Sequence, residues 1–299
     1  MQGSFLTLAY FGVDKMQKSL KKYFPVFLLP TLAAFTVSFI MPFFMGAYLS
    51  FTEFKVVNES VWVGLSNYIR IFTTDKTFLN SLWLTVKFTV VSILTVNVIA
   101  FFIALLLTKG LRGTNFFRTV FFMPNLIGGI VLGHIWSLII NGVLGYFGVD
   151  ITYDPDYGFW GLVVLMNWQL IGYMMIIYIA GIQNIPDNLT EAAAIDGASP
   201  FQTLVHVTVP MVMPSVTICT FLTLTNSFKL FDQNLALNGK APETSLLALD
   251  IYKTFYDHTG LKLAQWHGMG QAKAVIFFLI VAIIAFLQLR ATRQKEVEH

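Results

Sequence analysis

The sequence predicts an all-α polytopic membrane protein with six transmembrane helices, and three observations carry that prediction. Of 299 residues, 56% are hydrophobic and only 12% are charged, against roughly a quarter charged in an ordinary soluble domain. Mean hydropathy is +0.69, which leaves too little polar surface to keep a fold of this size in water. Five stretches free of Asp, Glu, Lys and Arg, at 24–52, 88–108, 119–149, 157–186 and 197–228, each hold the about 20 residues that a helix needs to cross a bilayer core.

Trimming these stretches at prolines and polar clusters places helices near 26–51, 83–108, 117–140, 159–182 and 212–231. A sixth is expected near 272–290, where Lys273 and Arg290 can snorkel from its ends. The membrane-spanning body is therefore 24–290, between an N-terminal segment 1–23 and a tail 291–299. Lys15, Lys18, Lys21 and Lys22 precede an apolar run far longer than the core of a signal peptide, so the first span reads as an anchor. Met1 and Met16 are equally good starts. Ten Lys and Arg fall on the N-terminal segment, the 109–118 loop and the tail, against seven on the alternate loops. That bias puts both termini in the cytoplasm.

Composition and motifs also exclude functions. The net charge of +3 is dispersed, so no basic face awaits nucleic acid. Cys219 is the single cysteine, and no cluster of metal-ligand spacing accompanies it, so neither disulfide nor metal is expected. There is no Walker-type Gly-x-x-x-x-Gly-Lys-[Ser/Thr], no His-Glu-x-x-His and no Gly-x-Ser-x-Gly. An enzyme embedded in the membrane would need converging acid, base or metal groups. A secondary carrier would be expected to show internal repeats and ionisable groups inside its spans. The six spans show neither pattern clearly.

The segment between the fourth and fifth helices, 187–214, is the most informative. Asp187 can cap a helix, Glu191 and three alanines favour its body, Gly197 ends it, and Pro200 can open a second one. Two short helices at an angle are expected, and an ordinary connection is the plain alternative. However, Glu191-Ala-Ala, Asp196-Gly197-Ala198, Pro210 and Pro214, at these spacings, closely resemble the EAA loop of ABC importer membrane subunits. Trp62-Val-Gly-Leu-Ser-Asn-Tyr68, Phe117-Arg-Thr-Val-Phe-Phe-Met-Pro124, Ser227-Phe-Lys-Leu-Phe-Asp232 and Lys295-Glu-Val-Glu are similar to the carbohydrate branch, of the maltose and multiple-sugar type. Two departures are Gly239-Lys-Ala-Pro242, where the family often has a Gly-Gly-Pro turn, and Thr190, where a tyrosine is common.

The resemblance implies a type I importer permease fold, larger-subunit-like within a pair of unlike permeases, in a bacterial or archaeal cytoplasmic membrane. It implies two ATPase subunits that bind ATP and Mg, an external sugar-binding protein, and no cofactor or catalysis in this chain. Small Ala192, Ala193 and Gly197 would let the coupling helix seat closely on the ATPase, with Glu191 and Asp196 contributing polar contacts. Tyr173 lies about 21 Å into the fourth helix and Asn226 about 18 Å past Pro214, both near mid-depth. They match two sugar-contacting positions of the family, and Trp168 preserves a neighbouring aromatic. Stacking on a ring and amide pairing with hydroxyls suit a sugar, although each residue alone also suits interhelical bonding. Lys229 and Asp232, three apart on the fifth helix, are expected to pair near the outer surface, with a lesser chance of facing the substrate path.

Overall fold

Helices account for nearly all regular structure in the computed structural model, which describes residues 23–26, 28–151, 154–238, 241–256 and 263–293. The basic N-terminal cluster and Lys295-Glu-Val-Glu lie outside the described residues. The helices are α1 (Tyr23–Leu49), α2 (Ser66–Thr73), α3 (Thr77–Leu107), α4 (Thr114–Phe122), α5 (Gly129–Leu144), α6 (Pro155–Gln183), α7 (Asp187–Ile195), α8 (Pro200–Met211), α9 (Met213–Phe228), α10 (Asp232–Asn238), α11 (Leu247–Tyr256) and α12 (Leu263–Arg293). A two-residue hairpin, β1 (Thr52–Glu53) with β2 (Val61–Trp62), follows α1. Asn67 fastens it, donating Nδ2 to Ser50 O at 2.9 Å and Thr52 O at 2.8 Å.

Several boundaries differ from the sequence expectation. α3 starts at Thr77 because the Asp75 carboxylate accepts the Thr77 and Phe78 N–H groups, satisfying donors at the helix start. Its 31 residues span about 46 Å, so it projects beyond a hydrocarbon core of about 30 Å. The third span is broken: α4 tightens into a 3-10 turn at Pro124, Ile127 and Gly128 are extended, and α5 starts afresh at Gly129. α9 stops at Phe228, and α12 begins well before 272.

α6 is the central element. It starts where the Asp154 side chain accepts Asp156 and Tyr157 N–H, with Pro155 at the first helical position. It packs against α3, α4 and α9 through Leu162, Leu165, Met166, Met174 and Tyr178, all buried. In lipid this packing is not driven by escape from water, so close approach at small residues matters more. A Cβ on Gly172 would overlap the Phe121 carbonyl, and one on Gly181 would overlap Ser215 Oγ. Gly129 and Gly133 face α10 within the same chain, where added Cβ atoms would lie 2.7 Å from Asp232 Cβ and 2.8 Å from Ala236 Cβ. By contrast α1 is almost wholly exposed and touches mainly α12.

Candidate functional site

Two regions carry the chemistry the sequence singled out. The first is a polar cleft of about 260 Å³ where α6, the α9–α10 junction and the break before α5 meet; Asn125, Gln169, Asn226, Lys229, Asp232 and Gln233 line it together with apolar residues. Its polar groups are held by the fold. Gln233 Nε2 donates to Gln169 Oε1 at 2.7 Å, Gln169 Nε2 reaches the Ile127 carbonyl at 3.4 Å, and Asn226 Nδ2 donates to Leu222 O at 2.8 Å. The broken third span thus has a use: Ile127 cannot return its carbonyl to a regular helix and offers it to the cleft wall instead.

Three of the expected substrate-path residues, Asn226, Lys229 and Asp232, come together here. Tyr173 sits one turn along α6 from Gln169, half-buried, with its ring 6.4 Å from Phe122. Trp168 does not line the cleft. Consecutive helical residues point about 100° apart, and the indole lies 5.7 Å from Trp136 on α5. The expected pairing of Lys229 with Asp232 does not occur, because α9 already ends at Phe228, leaving Lys229 as its cap, and Asp232 opens α10. Gln169, Gln233 and Asn125 were missed in the sequence. A glutamine four residues before Tyr173 was the available signal, since that spacing shares a helix face.

The second region is the loop 187–211. α7 begins at Asp187, with Pro186 at the cap position, so the Asp187 side chain does not cap the helix as expected. Its charge still lies in the first turn, where the helix dipole favours it. The helix closes in a Schellman motif: Gly197 N–H bonds Ala194 O, Ala198 N–H bonds Ala193 O, and Gly197 has φ +77. Ser199 and Gln202 form a reciprocal capping box for α8. Pro210 lacks an N–H, and a π-turn over Leu204–Thr208 precedes it; α8 and α9 then meet at a bend of 67°.

Glu191, Ala192, Asp196 and Gly197 are exposed on this loop, and Ala193 is half-buried. Ile195 is 86% and Phe201 73% exposed beside them, an apolar patch of the kind that marks a protein contact. His206 sits at the surface, with Nδ1 3.0 Å from Gln202 O. Among the described residues no group of His, Cys, Asp and Glu could hold a metal ion.

A buried ionic cluster, unforeseen in the sequence, ties the opposite end of the molecule together. Lys273, 1% exposed, does not snorkel. It pairs with Asp75 and, at 2.7 Å, with Asp250, and donates to Thr254 Oγ1 at 2.8 Å. Burial alone would raise the Asp75 carboxyl, but the Lys273 charge and hydrogen bonds from Lys273 and Thr77 hold it below the ordinary carboxylate range. From α11 the fastening continues to the cleft, because Asn234 on α10 donates to Thr244 O and its Oδ1 accepts Leu246 N–H.

Comparison with known proteins identifies the family and the fold. Residues 97–295 match the model of the family described as "Binding-protein-dependent transport system inner membrane component". The chain is 42% identical over 284 residues to the "Probable starch degradation products transport system permease protein AmyD" of Thermoanaerobacterium thermosulfurigenes, covering 91% of this chain and 94% of that one. It is 31% identical over 293 residues to the "Multiple sugar-binding transport system permease protein MsmF" of Streptococcus mutans, covering 94% and 99%. The fold is that of a chain in the crystal structure of a bacterial ABC transporter involved in alginate import, with a TM-score of 0.77 at 18% identity and coverage of 94% and 99%. The chain belongs to the family of binding-protein-dependent transport system inner membrane components: it is a multi-pass membrane permease subunit and not an enzyme.

Proposed function

We propose that this permease carries neutral oligosaccharides of the kind released from starch into the cell, forming one half of the path in a complex driven by separate ATPase subunits. The cleft carries the reading. Four amides, at Asn125, Gln169, Asn226 and Gln233, offer donors and acceptors to hydroxyl groups, and Lys229 and Asp232 bring balanced charge. Such a lining suits an uncharged polyhydroxylated solute, and the names of the curated relatives point to the same class. A cleft of about 260 Å³ lies below the ~300–1,000 Å³ of a complete ligand pocket, which fits a path completed by a second, unlike permease. The exposed face of α1 is also suited to that contact.

In this reading an external sugar-binding protein delivers the sugar, and the loop 187–211 faces the cytoplasm with both termini. Two ATPase subunits hold the ATP and Mg. Closure of the ATPases presses on Ile195, Phe201 and Glu191, and α6 and α9, which flank the loop, move the cleft walls. Tyr173 stacks on a sugar ring within that path, while Trp168 acts from outside the cleft. Uptake of labelled maltotriose by the complete complex in liposomes tests this. Asn226→Ala with Gln233→Ala is expected to raise the half-saturating concentration at least fivefold, and unchanged uptake kinetics would remove the cleft from the path.

A further inference from the structure

α4 opens the third span, and its register against α6 is fixed at successive points. Gln169 Nε2 on α6 reaches the Ile127 carbonyl at 3.4 Å, the Tyr173 ring lies 6.4 Å from that of Phe122, and Gly172 admits the Phe121 carbonyl. Rising numbers on α6 meet falling numbers on the third span, so the two run antiparallel. Four residues on from Phe122, about 6 Å towards the loop 187–211, the next residue of α4 on this line is Arg118, level with Ile176 and Ile177. The burial pattern agrees. Thr114, Arg118 and Phe122, four apart, are the only half-covered residues of α4, and α4 packs mainly on α6.

Arg118 is poorly served there. Its Nε is buried without a hydrogen-bond partner, and among the described residues no carboxylate forms an ion pair with it. A buried polar atom left unmatched calls for an explanation, all the more on a cation inside a span. At about 100° per residue, Asn115, Arg118 and Thr119 fall within about 60° of Phe122, whereas Phe116, Phe117, Val120 and Phe121 fall about 100° or more away. The second set suits lipid, and the polar set turns to the edge of α6 that carries Tyr173. Polar and ionisable groups of a span face the bundle interior or a water-filled cavity. α6 is open at the same place. Gly172 abuts α4 and Gly181 abuts Ser215 on α9; the face between them carries Gln169, Tyr173, Ile176 and Ala180, the last two exposed.

We infer that α4 lines the part of the path between the cleft and the loop 187–211, and that Arg118 is a sugar-contacting residue there. Its guanidinium offers a planar fork of N–H donors, which reaches two neighbouring hydroxyls of a sugar that has left Asn226 and Gln233. A lysine, a point charge with rotatable donors, cannot hold both in that fixed geometry. The inference rests on the reading of the cleft and Tyr173 as the sugar's path.

The test uses the complete complex with its ATPases, partner permease and binding protein in lipid nanodiscs. Cys219, the single cysteine of the chain, is buried, so a cysteine placed at Asn115, Thr119 or Phe121 reports alone for this chain. In the nucleotide-free complex a charged, bilayer-impermeant methanethiosulfonate is expected to label Asn115→Cys and Thr119→Cys at least tenfold faster than Phe121→Cys. Trapping with ATP and vanadate should slow the labelling of Thr119→Cys at least threefold. Maltotriose should protect Thr119→Cys, and adding Arg118→Gln should raise the protecting concentration at least fivefold, with Arg118→Lys between the two. Equal labelling of Thr119→Cys and Phe121→Cys overturns the placement of α4, and protection unchanged by Arg118→Gln overturns the role of Arg118. Labelling of Thr119→Cys that becomes fast only when anionic phospholipid is left out of the nanodisc assigns Arg118 to a lipid phosphate and overturns it as well. If both polar-side cysteines label rapidly but maltotriose neither protects them nor stimulates ATP turnover in the wild type, the sugar reading fails and the lining of the path by α4 stands.

Discussion

Replacing Lys273 by Met removes the ammonium that pairs with both carboxylates of the cluster. Asp75 and Asp250 are 7% and 6% exposed at the side chain, and Lys273 Nζ reaches both as well as Thr254. Thr77 Oγ1 also lies 2.8 Å from Asp75 Oδ1 and 2.6 Å from Asp250 Oδ1, so the two acids are close neighbours. Without the ammonium, two like charges face each other away from water. Breaking a buried ion pair on one side costs about 3–5 kcal/mol, which corresponds to a fall of about 6–20 °C in melting temperature for a chain of this size. Thermal unfolding of the purified complex in nanodiscs, read from tryptophan fluorescence, measures it. The triple variant Lys273→Met, Asp75→Asn, Asp250→Asn should recover most of the loss, because neutral groups of the same shape carry no desolvated charge. A shift under 2 °C in Lys273→Met, or a triple variant worse than the single one, would refute the assignment of a buried cluster.

Acid should expose the same cluster. Asp75 is held below its ordinary value of 3.8, so the unfolded chain takes up its proton first, and this stabilisation is present above about pH 4 and fades as pH falls further. Melting temperatures from pH 7 to 3 should therefore converge for wild type and Asp75→Asn. Glu191→Lys should leave assembly and basal ATP hydrolysis in place but cut sugar uptake at least tenfold, since the reversed charge stands at an exposed docking surface; wild-type uptake removes Glu191 from coupling. Gly172→Val should cost about 1–3 kcal/mol by overpacking against the Phe121 carbonyl, seen as a lower melting temperature, whereas Gly142→Val, with open space around its added Cβ, should change it by less than 1 °C.

The spans and the loop were legible in the sequence because each depends on local features. Charge-free length marks a bilayer crossing, and the alanines, Gly197, Pro200 and Pro210 shape the loop through their own backbone preferences. The cleft was only partly legible. Asn226, Lys229 and Asp232 could be singled out as polar groups near apolar spans, but Gln169 and Gln233 acquire meaning only when α10 folds back beside α6. The broken third span hid in a continuous apolar run, since hydropathy does not register that Pro124 and Gly128 interrupt the hydrogen-bond ladder. Lys273 misled for the same reason: at a span end a lysine normally snorkels, and only the return of α11 delivers Asp250 to meet it. Trp168 and Tyr173 differ by helix phase, which sets one facing α5 and the other one turn from the cleft.

The central claim is that ATP closure at the loop 187–211 drives sugar through the cleft. The most direct measurement is uptake of labelled maltotriose into liposomes that contain the whole complex, with the binding protein outside and either ATP inside or an imposed proton or sodium gradient. Uptake that needs internal ATP, ignores the gradients and is lost in Glu191→Lys is the predicted result. Uptake driven by a gradient without ATP would contradict the account.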